Sequence, residues 1–459
     1  MDVLIYGLGR SGRAALELVK SQGHTVLAFD QDPSDEDYQV LKISGIELCR
    51  TFRDKHFDLC IAAPGVPYDH PDLVAIRHKG TETIGEVEWV FRTVKAHIIG
   101  ITGTAGKTTV TRWLTDTLFN AGVDAVAGGN IDPALAAVAQ DDRVLVTELS
   151  SFQLERCPSL APKVAIGLNL APDHLDRHGS LAAYYEAKYA ITKHQTENDL
   201  LILNEDDPEM GSWKNRTKAT VQTFSLRNEA DAYVKSVNGE RSLYLHGQKL
   251  LTCGDLALQA RHFQANALAV SLAASALGLT HDQVRAGLTA FRGVEGRYSE
   301  VGRLGNICFI EDSIATRSLA VKAALEATPE PIVWIAGGVD KGANFKGLEP
   351  LLRERVAMMI GVGEAGHDFL KRVDALIPTR LCPEQEGRAS LECACKAGVN
   401  HLREFHGGKG TILLAPMAAS FDQYKDYKER ALIFREVARS LMSVPSSASE
   451  SKDKAWIPS

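Results

Sequence analysis

The chain has 459 residues, a formal net charge of −7 at neutral pH, and 45% hydrophobic and 24% charged residues. This composition is typical of a globular protein, and the negative charge argues against nucleic-acid binding through bulk positive charge. No run of about 18 apolar residues appears, so we expect no membrane-spanning segment. The length predicts about three domains. Strand and helix patterns alternate along the chain, which predicts an α/β fold.

The eight cysteines are scattered and form no Cys-x-x-Cys pair, which argues against zinc or thioredoxin-type chemistry. The closest pair, Cys393 and Cys395, is expected to be two free thiols. The sequence begins with a strand pattern and has no basic segment before an apolar run. Together these features predict a cytoplasmic protein with reduced cysteines.

The first section, residues 1–93, opens with a βαβ pattern. A strand over 3–6 leads into Gly7-x-Gly9-x-x-Gly12, and then a helix over 13–21 and a strand over 25–29 that ends at Asp30. A glycine-rich first turn followed by an acidic residue after the second strand has the form of the dinucleotide fingerprint. NAD binding is its usual interpretation, but the motif alone is a weak signal.

The second section, residues 94–296, begins with the most informative segment. An apolar strand runs into a glycine-rich turn that precedes a helix predicted over 110–120. Such a turn directs backbone N–H groups at phosphate, Lys107 would reach the β- and γ-phosphates, and the Thr108 hydroxyl would bind Mg²⁺. Ile101 stands where the strict motif has its first glycine. The candidate nucleotide-binding residues are Gly100, Thr102, Gly103, Thr104, Ala105, Gly106, Lys107, Thr108 and Thr109.

Polar residues follow the next strands of this section. A strand over 143–147 ends at Glu148, a candidate Mg²⁺ ligand. A strand over 164–168 is followed by a segment with two histidines and two aspartates over 173–178. An ordinary polar surface loop is the alternative there, and zinc is poorly supported. Lys188 lies on a helix predicted after Ser180, where a lysine is usually solvated.

The third section, residues 297–445, repeats the alternation of strands and helices. Its strands end at Glu311-Asp312, at 337–341, at Gly363 and at 415–420. Polar residues at strand ends are typical of ligand sites in open α/β sheets. The composition turns polar after about residue 444, and we expect residues 446–459 to be a disordered tail.

These motifs together resemble the Mur ligases of peptidoglycan synthesis, most closely the branch that adds D-glutamate. The family's Gly-x-x-Gly-x-x-Gly-Lys-[Ser/Thr] loop is similar to residues 100–108, which explains the departure at Ile101. The resemblance covers nearly the whole chain. Its other segments are Gly128–Asn130, Glu148–Glu155, Asp173–His178, Glu311–Ser313 and Leu414–Lys425.

The resemblance implies three α/β domains: a Rossmann-like UDP-substrate domain, a P-loop ATPase domain with a mostly parallel sheet, and a Rossmann-like amino-acid domain. It implies a cytoplasmic enzyme that uses ATP and two Mg²⁺ ions, with Mn²⁺ as a substitute in vitro. The expected partners are UDP-N-acetylmuramoyl-L-alanine and D-glutamate, joined through an acyl phosphate. No nucleic acid or membrane partner is expected. The protein is expected to be a monomer.

The resemblance also implies roles for individual residues. Lys107, His174 and Lys188 would be catalytic, with Lys188 carbamylated. Thr108 and Glu148 would bind one Mg²⁺, and His174 and Lys188 the second. For ATP, Asn266 would contact the adenine end, Arg297 the phosphates and Asp312 the ribose. The implied substrate contacts are Arg10, Ser11 and Asn130 for the UDP-substrate, and Thr316, Lys341, Ser420, Phe421 and Tyr427 for D-glutamate.

Some positions depart from the family pattern. Ala105 replaces an asparagine in the glycine loop, which leaves the rigidity of that loop in question. Ile314 replaces a lysine, Phe263 an asparagine, and Asp32 lies where a residue that meets the uridine nucleotide is usual. An Asp there would repel phosphate, so we expect Arg10, Ser11 and the N–H groups of the turn to bind the diphosphate.

Other interpretations stay open. The alternative to a role in binding D-glutamate is that Lys341, Ser420 and Tyr427 are ordinary loop residues. The alternative to a role in binding ATP is that Asn266 is an amide on a helix surface. Another ligase of the same family, which adds an amino acid other than D-glutamate, is the first alternative for the protein as a whole. The N-terminal Gly7-x-Gly9-x-x-Gly12 motif and the segment 151–155 disfavour it. A non-enzymatic NAD-binding regulator with a decayed NTPase core is disfavoured by the intact Lys107, Thr108 and Glu148. We expect a hinge near Gly293–Gly296, because two glycines absorb backbone rotation at low cost.

Overall fold

A computed structural model describes residues 1–46, 48–49, 51–52 and 55–443. The chain divides into two compact units, Met1–Phe291 and Arg292–Ser459. Three sheets are present in the described ranges, two in the first unit and one in the second. The predicted tail over 446–459 lies outside the described residues. The predicted domain bounds at residues 93 and 296 stay predictions.

The N-terminal sheet is parallel, with strand order β2-β1-β3-β4. Its strands are short and largely buried, as expected for a sheet covered by helices. The strands are β1 (Asp2–Tyr6), β2 (Thr25–Phe29), β3 (Leu59–Ala62) and β4 (Glu82–Ile84), and the helices are α1 (Arg10–Ser21), α2 (Asp35–Ser44), α3 (Pro71–His78) and α4 (Glu86–Thr93).

The central sheet has strand order β13-β12-β11-β10-β9-β8-β5-β7-β6. It is parallel from β6 to β11, and β11, β12 and β13 are antiparallel. The strands are β5 (His97–Thr102), β6 (Ala125–Gly129), β7 (Val144–Glu148), β8 (Val164–Gly167), β9 (Leu200–Asn204), β10 (Thr220–Ser225), β11 (Ala232–Val237), β12 (Glu240–Leu245) and β13 (Gln248–Thr252). The helices are α5 (Lys107–Asn120), α6 (Ser151–Leu154), α7 (Leu175–His178), α8 (Leu181–Tyr189), α9 (Pro208–Ser212), α10 (Arg261–Ala276) and α11 (His281–Ala290).

The first two sheets share apolar packing. Val87 and Val90 of α4 belong to the buried cluster of the central sheet, and Leu18 of α1 packs against the same cluster. This burial of apolar side chains explains why residues 1–291 form one compact unit.

The second unit holds a sheet of order β14-β15-β19-β16-β17-β18, antiparallel between β14 and β15 and parallel elsewhere. A buried cluster packs β15, β16, β17 and β19 against α15 and α16. The strands are β14 (Ser299–Leu304), β15 (Asn306–Glu311), β16 (Ile332–Gly337), β17 (Val356–Val362), β18 (Thr379–Leu381) and β19 (Lys409–Leu414), and the helices are α12 (Ser318–Ala327), α13 (Glu349–Arg355), α14 (Gly366–Lys371), α15 (Gly387–Phe405) and α16 (Tyr427–Ser443).

Two predicted helices begin earlier than the sequence suggested. The helix predicted from residue 13 begins at Arg10, and the one predicted from residue 110 begins at Lys107. Gly9 and Gly106 are the N-cap residues, so each glycine turn leads directly into its helix. Within the described residues, no helix is both long and apolar enough to cross a lipid bilayer.

The prediction of two free thiols at 393 and 395 is wrong for Cys393. Cys393, on α15, forms a disulfide with Cys382, which follows β18, whereas Cys395 is free and buried. The fold brings two positions 11 residues apart in sequence to a Cα–Cα distance of 6.0 Å, which suits a disulfide. Sequence spacing carried no sign of this pairing.

Candidate active site

The glycine turn after β5 lies at the carboxyl end of the central strands. Gly103 and Gly106 have φ of +151° and +86°, which is the backbone region that favours glycine. A Cβ on Gly103 would lie 3.0 Å from the Cβ of Leu168, and one on Gly106 would lie 3.0 Å from the side-chain oxygen of Asn266. The turn therefore needs both glycines for its conformation and for close packing. Thr109 is half-buried in the first turn of α5, whose N-terminus favours an anion.

The segment after β8 braces this turn. The Asn169 side chain accepts a hydrogen bond from the Ala105 N–H at 2.8 Å and donates one to the Ala105 carbonyl at 3.0 Å. The Thr104 N–H donates to the Asn169 carbonyl at 2.9 Å. The rigidity that Ala105 put in question is thus supplied by Asn169, which the sequence analysis did not single out.

Thr108 and Glu148 meet as the sequence predicted. The Thr108 hydroxyl donates to a Glu148 carboxylate oxygen at 2.5 Å, and both residues are buried. The other Glu148 oxygen accepts from the Asn130 amide at 2.8 Å. Strands β5, β6 and β7 are neighbours, so their carboxyl ends bring these three side chains together. Asn130, predicted to contact the UDP-substrate, here holds the carboxylate.

Two lysines converge on one backbone oxygen. Lys107 donates to the Gly103 carbonyl at 2.8 Å and to the Thr104 carbonyl at 3.1 Å. Lys188, on α8, donates to the same Gly103 carbonyl at 2.9 Å. Lys188 is only 2% exposed, so the alternative of a solvated helix lysine is wrong. Burial and the nearby Lys107 ammonium lower the pKa of Lys188 to about 7.

Tyr184 and Asn266 complete the surroundings of the turn. The Tyr184 hydroxyl lies 3.2 Å from the Thr104 hydroxyl, and the Lys188 ammonium lies 4.8 Å from the centre of the Tyr184 ring. Asn266, on α10, is buried, which excludes the surface-amide alternative. Thr102 is also buried, and its hydroxyl donates to the Leu149 carbonyl at 3.0 Å.

The histidine-containing segment folds over α6. His174 has φ of +51°, its side chain is 41% exposed, and a ring nitrogen lies 3.5 Å from an Asp173 oxygen. The His174 ring packs against Phe152 with centroids 4.9 Å apart. An exposed imidazole beside a carboxylate can bind an incoming cation.

The N-terminal glycine turn holds its own acidic residue. Asp30 accepts from the backbone N–H groups of Leu8 at 2.6 Å and Asp32 at 3.0 Å, so its carboxylate is used within the turn. A Cβ on Gly12 would lie 1.8 Å from the Gly7 carbonyl oxygen, which requires glycine there. Arg10 begins α1 and donates to the Gly129 carbonyl at 3.5 Å, and Ser11 is half-buried beside it.

In the second unit, Asp312 lies at the carboxyl end of β15. Burial and the neighbouring Glu311 carboxylate raise the pKa of Asp312 to about 7, while the Arg297 charge opposes this rise. Thr316, four residues further, is half-buried and donates its backbone N–H to the Ile314 carbonyl at 2.8 Å.

Three of the residues predicted to contact D-glutamate lie on loops that follow β16 and β19: Lys341, Ser420 and Phe421. A backbone pair between Val339 and Ala419 ties these loops together, which brings Lys341 and Ser420 to neighbouring positions. Ser420 is buried, whereas Phe421 is 65% exposed and the Lys341 ammonium lies 5.2 Å from the centre of its ring. Tyr427 begins α16 and lines a cleft of about 280 Å³ with Glu295, Gly296 and Arg435.

Arg430 is a residue of this region that sequence reasoning missed. It is 2% exposed, and it donates to the carbonyls of Ser313 at 2.9 Å and Ala418 at 3.2 Å. Burial lowers its pKa to about 10. Arg430 thus holds the loops after β15 and β19 together. Nothing in the sequence indicated that Arg430 is buried, because a charged residue within an amphipathic helix pattern is expected on the exposed face.

The strand, glycine turn and helix, with a threonine and a carboxylate at its mouth, define a P-loop protein of the α/β class. Residues 101–274 match the Mur ligase middle domain. A Deinococcus radiodurans protein named UDP-N-acetylmuramoylalanine–D-glutamate ligase is 40% identical over 98% of this chain and 94% of its own length. A Thermus thermophilus protein of the same name is 37% identical over 98% of this chain and all of its own length. The chain therefore belongs to the Mur ligase family, among the relatives that carry this name.

Solved structures agree on the fold. UDP-N-acetylmuramate–alanine ligase from Thermotoga maritima matches with a TM-score of 0.58 and 19% identity, covering 96% of this chain and all of that one. MurF ligase from Thermotoga maritima, solved in complex with ADP, matches with a TM-score of 0.56 and 15% identity over 95% of both chains. The predicted α/β fold with mostly parallel sheets is confirmed by this likeness and by the three sheets of the described residues.

Proposed function

We propose that this protein is an ATP-dependent ligase that joins the amine of D-glutamate to the L-alanyl carboxylate of UDP-N-acetylmuramoyl-L-alanine. Relatives of that name are 33–40% identical over nearly the full length. The observation in the structure that carries the chemistry is the convergence of Lys107, Lys188 and the Thr108–Glu148 pair at one glycine turn. Such an arrangement of cationic and oxygen-bearing side chains supports the transfer of a phosphoryl group.

A carboxylate needs activation before an amine can displace its oxygen. An oxygen of the L-alanyl carboxylate attacks the γ-phosphorus of ATP, the bond to the ADP oxygen breaks, and an acyl phosphate forms. Lys107 and the N–H groups of the turn neutralise the phosphate oxygens in this step. The neutral amine of D-glutamate then attacks the acyl carbon, the nitrogen releases one proton to solvent, and inorganic phosphate leaves with the carboxylate oxygen.

The residues at the mouth of the turn fit Mg²⁺. The Thr108 hydroxyl and the Glu148 carboxylate are buried oxygen donors 2.5 Å apart, and oxygen ligands are what Mg²⁺ prefers. When bound, Mg²⁺ supplies positive charge beside the phosphates. In this proposal Thr108 and Glu148 hold one ion, and His174 and Lys188 hold the second.

Lys188 suits that role only after a change of charge, because an ammonium repels a cation. Its pKa of about 7 leaves much of the amine neutral at physiological pH. A neutral amine adds to CO₂ with release of one proton, which gives a carbamate whose oxygens can bind the metal. Burial of Lys188 beside Lys107 thus favours the carbamate proposal.

The remaining contacts follow from position. We assign the UDP-substrate to the N-terminal turn with Arg10, Ser11 and Asn130, and D-glutamate to Lys341 and Ser420 with Thr316, Phe421 and Tyr427. Asn266, Arg297 and Asp312 would contact ATP. The proposal also includes a cytoplasmic location and a monomeric state.

Phosphate release from ATP tests this function. Purified enzyme with Mg²⁺ and UDP-N-acetylmuramoyl-L-alanine should release phosphate rapidly with D-glutamate and at background rate with L-glutamate or diaminopimelate. Lys107→Ala should lose at least about 100-fold in rate, the order expected for one charge-stabilising group, and Lys193→Ala, an exposed lysine of the same domain, should match the wild type. Release that is independent of D-glutamate would reject the function.

A further inference from the structure

A buried histidine joins two segments of the candidate site. The His178 side chain is 2% exposed, and one ring nitrogen lies 2.9 Å from the Ser151 hydroxyl while the other lies 3.0 Å from a Glu155 oxygen. Ser151 is the first residue of α6 and Glu155 directly follows this helix, which comes after Glu148 in the chain. Ser151 is itself 2% exposed, so its hydroxyl is not open to a substrate as a nucleophile would be. The hydrogen bonds of His178 therefore connect two segments of the chain, and we call this arrangement a brace.

Aromatic packing extends the brace to His174. The Phe152 ring stacks on His178 with centroids 5.4 Å apart and contacts His174 with centroids 4.9 Å apart. The Arg177 guanidinium lies 4.7 Å from the centre of the same ring. His174 has a left-handed backbone and an exposed side chain, so these contacts restrict a residue that would otherwise be free to turn.

The same segment reaches the N-terminal sheet. Arg177 donates to the carbonyls of Gly65 at 3.3 Å and Val66 at 2.8 Å, in the loop after β3. Arg156, which follows α6, donates to the Val66 carbonyl at 2.7 Å. The segment 173–178 therefore lies between the loop after β3 and α6.

We propose that His178 is a positioning residue: it fixes the segment 173–178 on α6 and so orients His174 for the second metal ion. The proposal rests on the proposed function, because it assigns His174 to that ion. His178 itself touches neither metal nor substrate. Residues that orient metal ligands in this way change affinity or activity by about 10–100-fold when they are replaced.

The test compares His178→Phe, which keeps an aromatic ring without the two hydrogen bonds, with His178→Gln, which keeps a donor and an acceptor. Binding of Mn²⁺ in the presence of ADP is measured by electron paramagnetic resonance, together with kcat, the KM for ATP and the thermal midpoint. His178→Phe should weaken binding of the second Mn²⁺ about 10-fold and lower kcat with little change in KM, and His178→Gln should restore much of both. His194→Phe, an exposed histidine of the same domain, is the matched control.

Several outcomes overturn the proposal. One is a His178→Phe enzyme whose Mn²⁺ binding and kcat lie within about twofold of the wild type; another is a fall in the thermal midpoint with unchanged binding, which indicates a structural role alone. Should His178→Phe fail to fold, Ser151→Ala with Glu155→Ala removes both hydrogen-bond partners and keeps the imidazole ring, and the same criteria apply. A wild-type enzyme without ligase activity would reject the proposed function instead.

Discussion

The side chain of Asn169 forms two hydrogen bonds with the backbone of Ala105, one as acceptor at 2.8 Å and one as donor at 3.0 Å. These bonds attach the glycine turn after β5 to the segment after β8. The turn thereby keeps its conformation although residue 105 has no polar side chain of its own.

Replacing Asn169 with Ala should therefore loosen the turn and raise the KM for ATP about 10-fold, since each lost hydrogen bond contributes about 0.5–1.5 kcal/mol. Steady-state kinetics at varied ATP measures this effect. Asn228→Ala, at an exposed position of the same domain, is the control. An unchanged KM for ATP in Asn169→Ala would show that the turn is rigid without this brace.

The charge of Lys188 predicts a dependence on CO₂ and pH. Its pKa is lowered from 10.5 to about 7, so the amine is mainly protonated at pH 6 and mainly neutral at pH 8. Only the neutral amine forms a carbamate. Enzyme kept in CO₂-free buffer should lose activity, and bicarbonate should restore more of it at pH 8 than at pH 6.

Lys188→Ala should be inactive and partly rescued by acetate or formate, whose oxygens can take the place of the carbamate. Lys193→Ala, on the surface after α8, should need no rescue. Equal activity of the wild type with and without CO₂, together with no rescue of Lys188→Ala, would contradict the carbamate.

Lys341 should contribute strongly to the binding of D-glutamate. A charge-assisted hydrogen bond to a carboxylate contributes about 1.5–3 kcal/mol, so Lys341→Ala should raise the KM for D-glutamate roughly 10- to 100-fold. The KM values for ATP and the UDP-substrate should change much less. Lys346→Ala, exposed on the same loop, is the control. A rise confined to the KM for ATP would move Lys341 to the nucleotide site.

The disulfide can be checked by counting thiols. The sequence has eight cysteines, and six are free in the structure. Denatured, unreduced protein should therefore give six titratable thiols and reduced protein eight, while Cys382→Ser should give seven without reductant. Eight thiols in unreduced protein would show that Cys382 and Cys393 are not paired.

Short sequence patterns, such as apolar runs and glycine motifs, predicted the strands and turns that depend on neighbouring residues. Strands β1, β2, β7 and β8 lie within a residue or two of their predicted bounds, and the glycine turn lies where its motif predicts it. The family resemblance, and not a local pattern, implied that Thr108 and Glu148 meet. Burial of Lys188, the Asn169 brace and the Cys382–Cys393 pair depend on contacts between distant segments. Sequence spacing does not encode such contacts, and Lys188 and Arg430 look like surface residues until the fold buries them.

The most direct test of the account follows an oxygen isotope from substrate to phosphate. UDP-N-acetylmuramoyl-L-alanine labelled with ¹⁸O in both oxygens of its L-alanyl carboxylate is incubated with enzyme, ATP, Mg²⁺ and D-glutamate, and phosphate and product are examined by mass spectrometry. An acyl phosphate transfers one labelled oxygen to phosphate and leaves the other in the new amide, so we expect one ¹⁸O in each. Unlabelled phosphate, or phosphate release without a D-glutamyl product, would contradict the account.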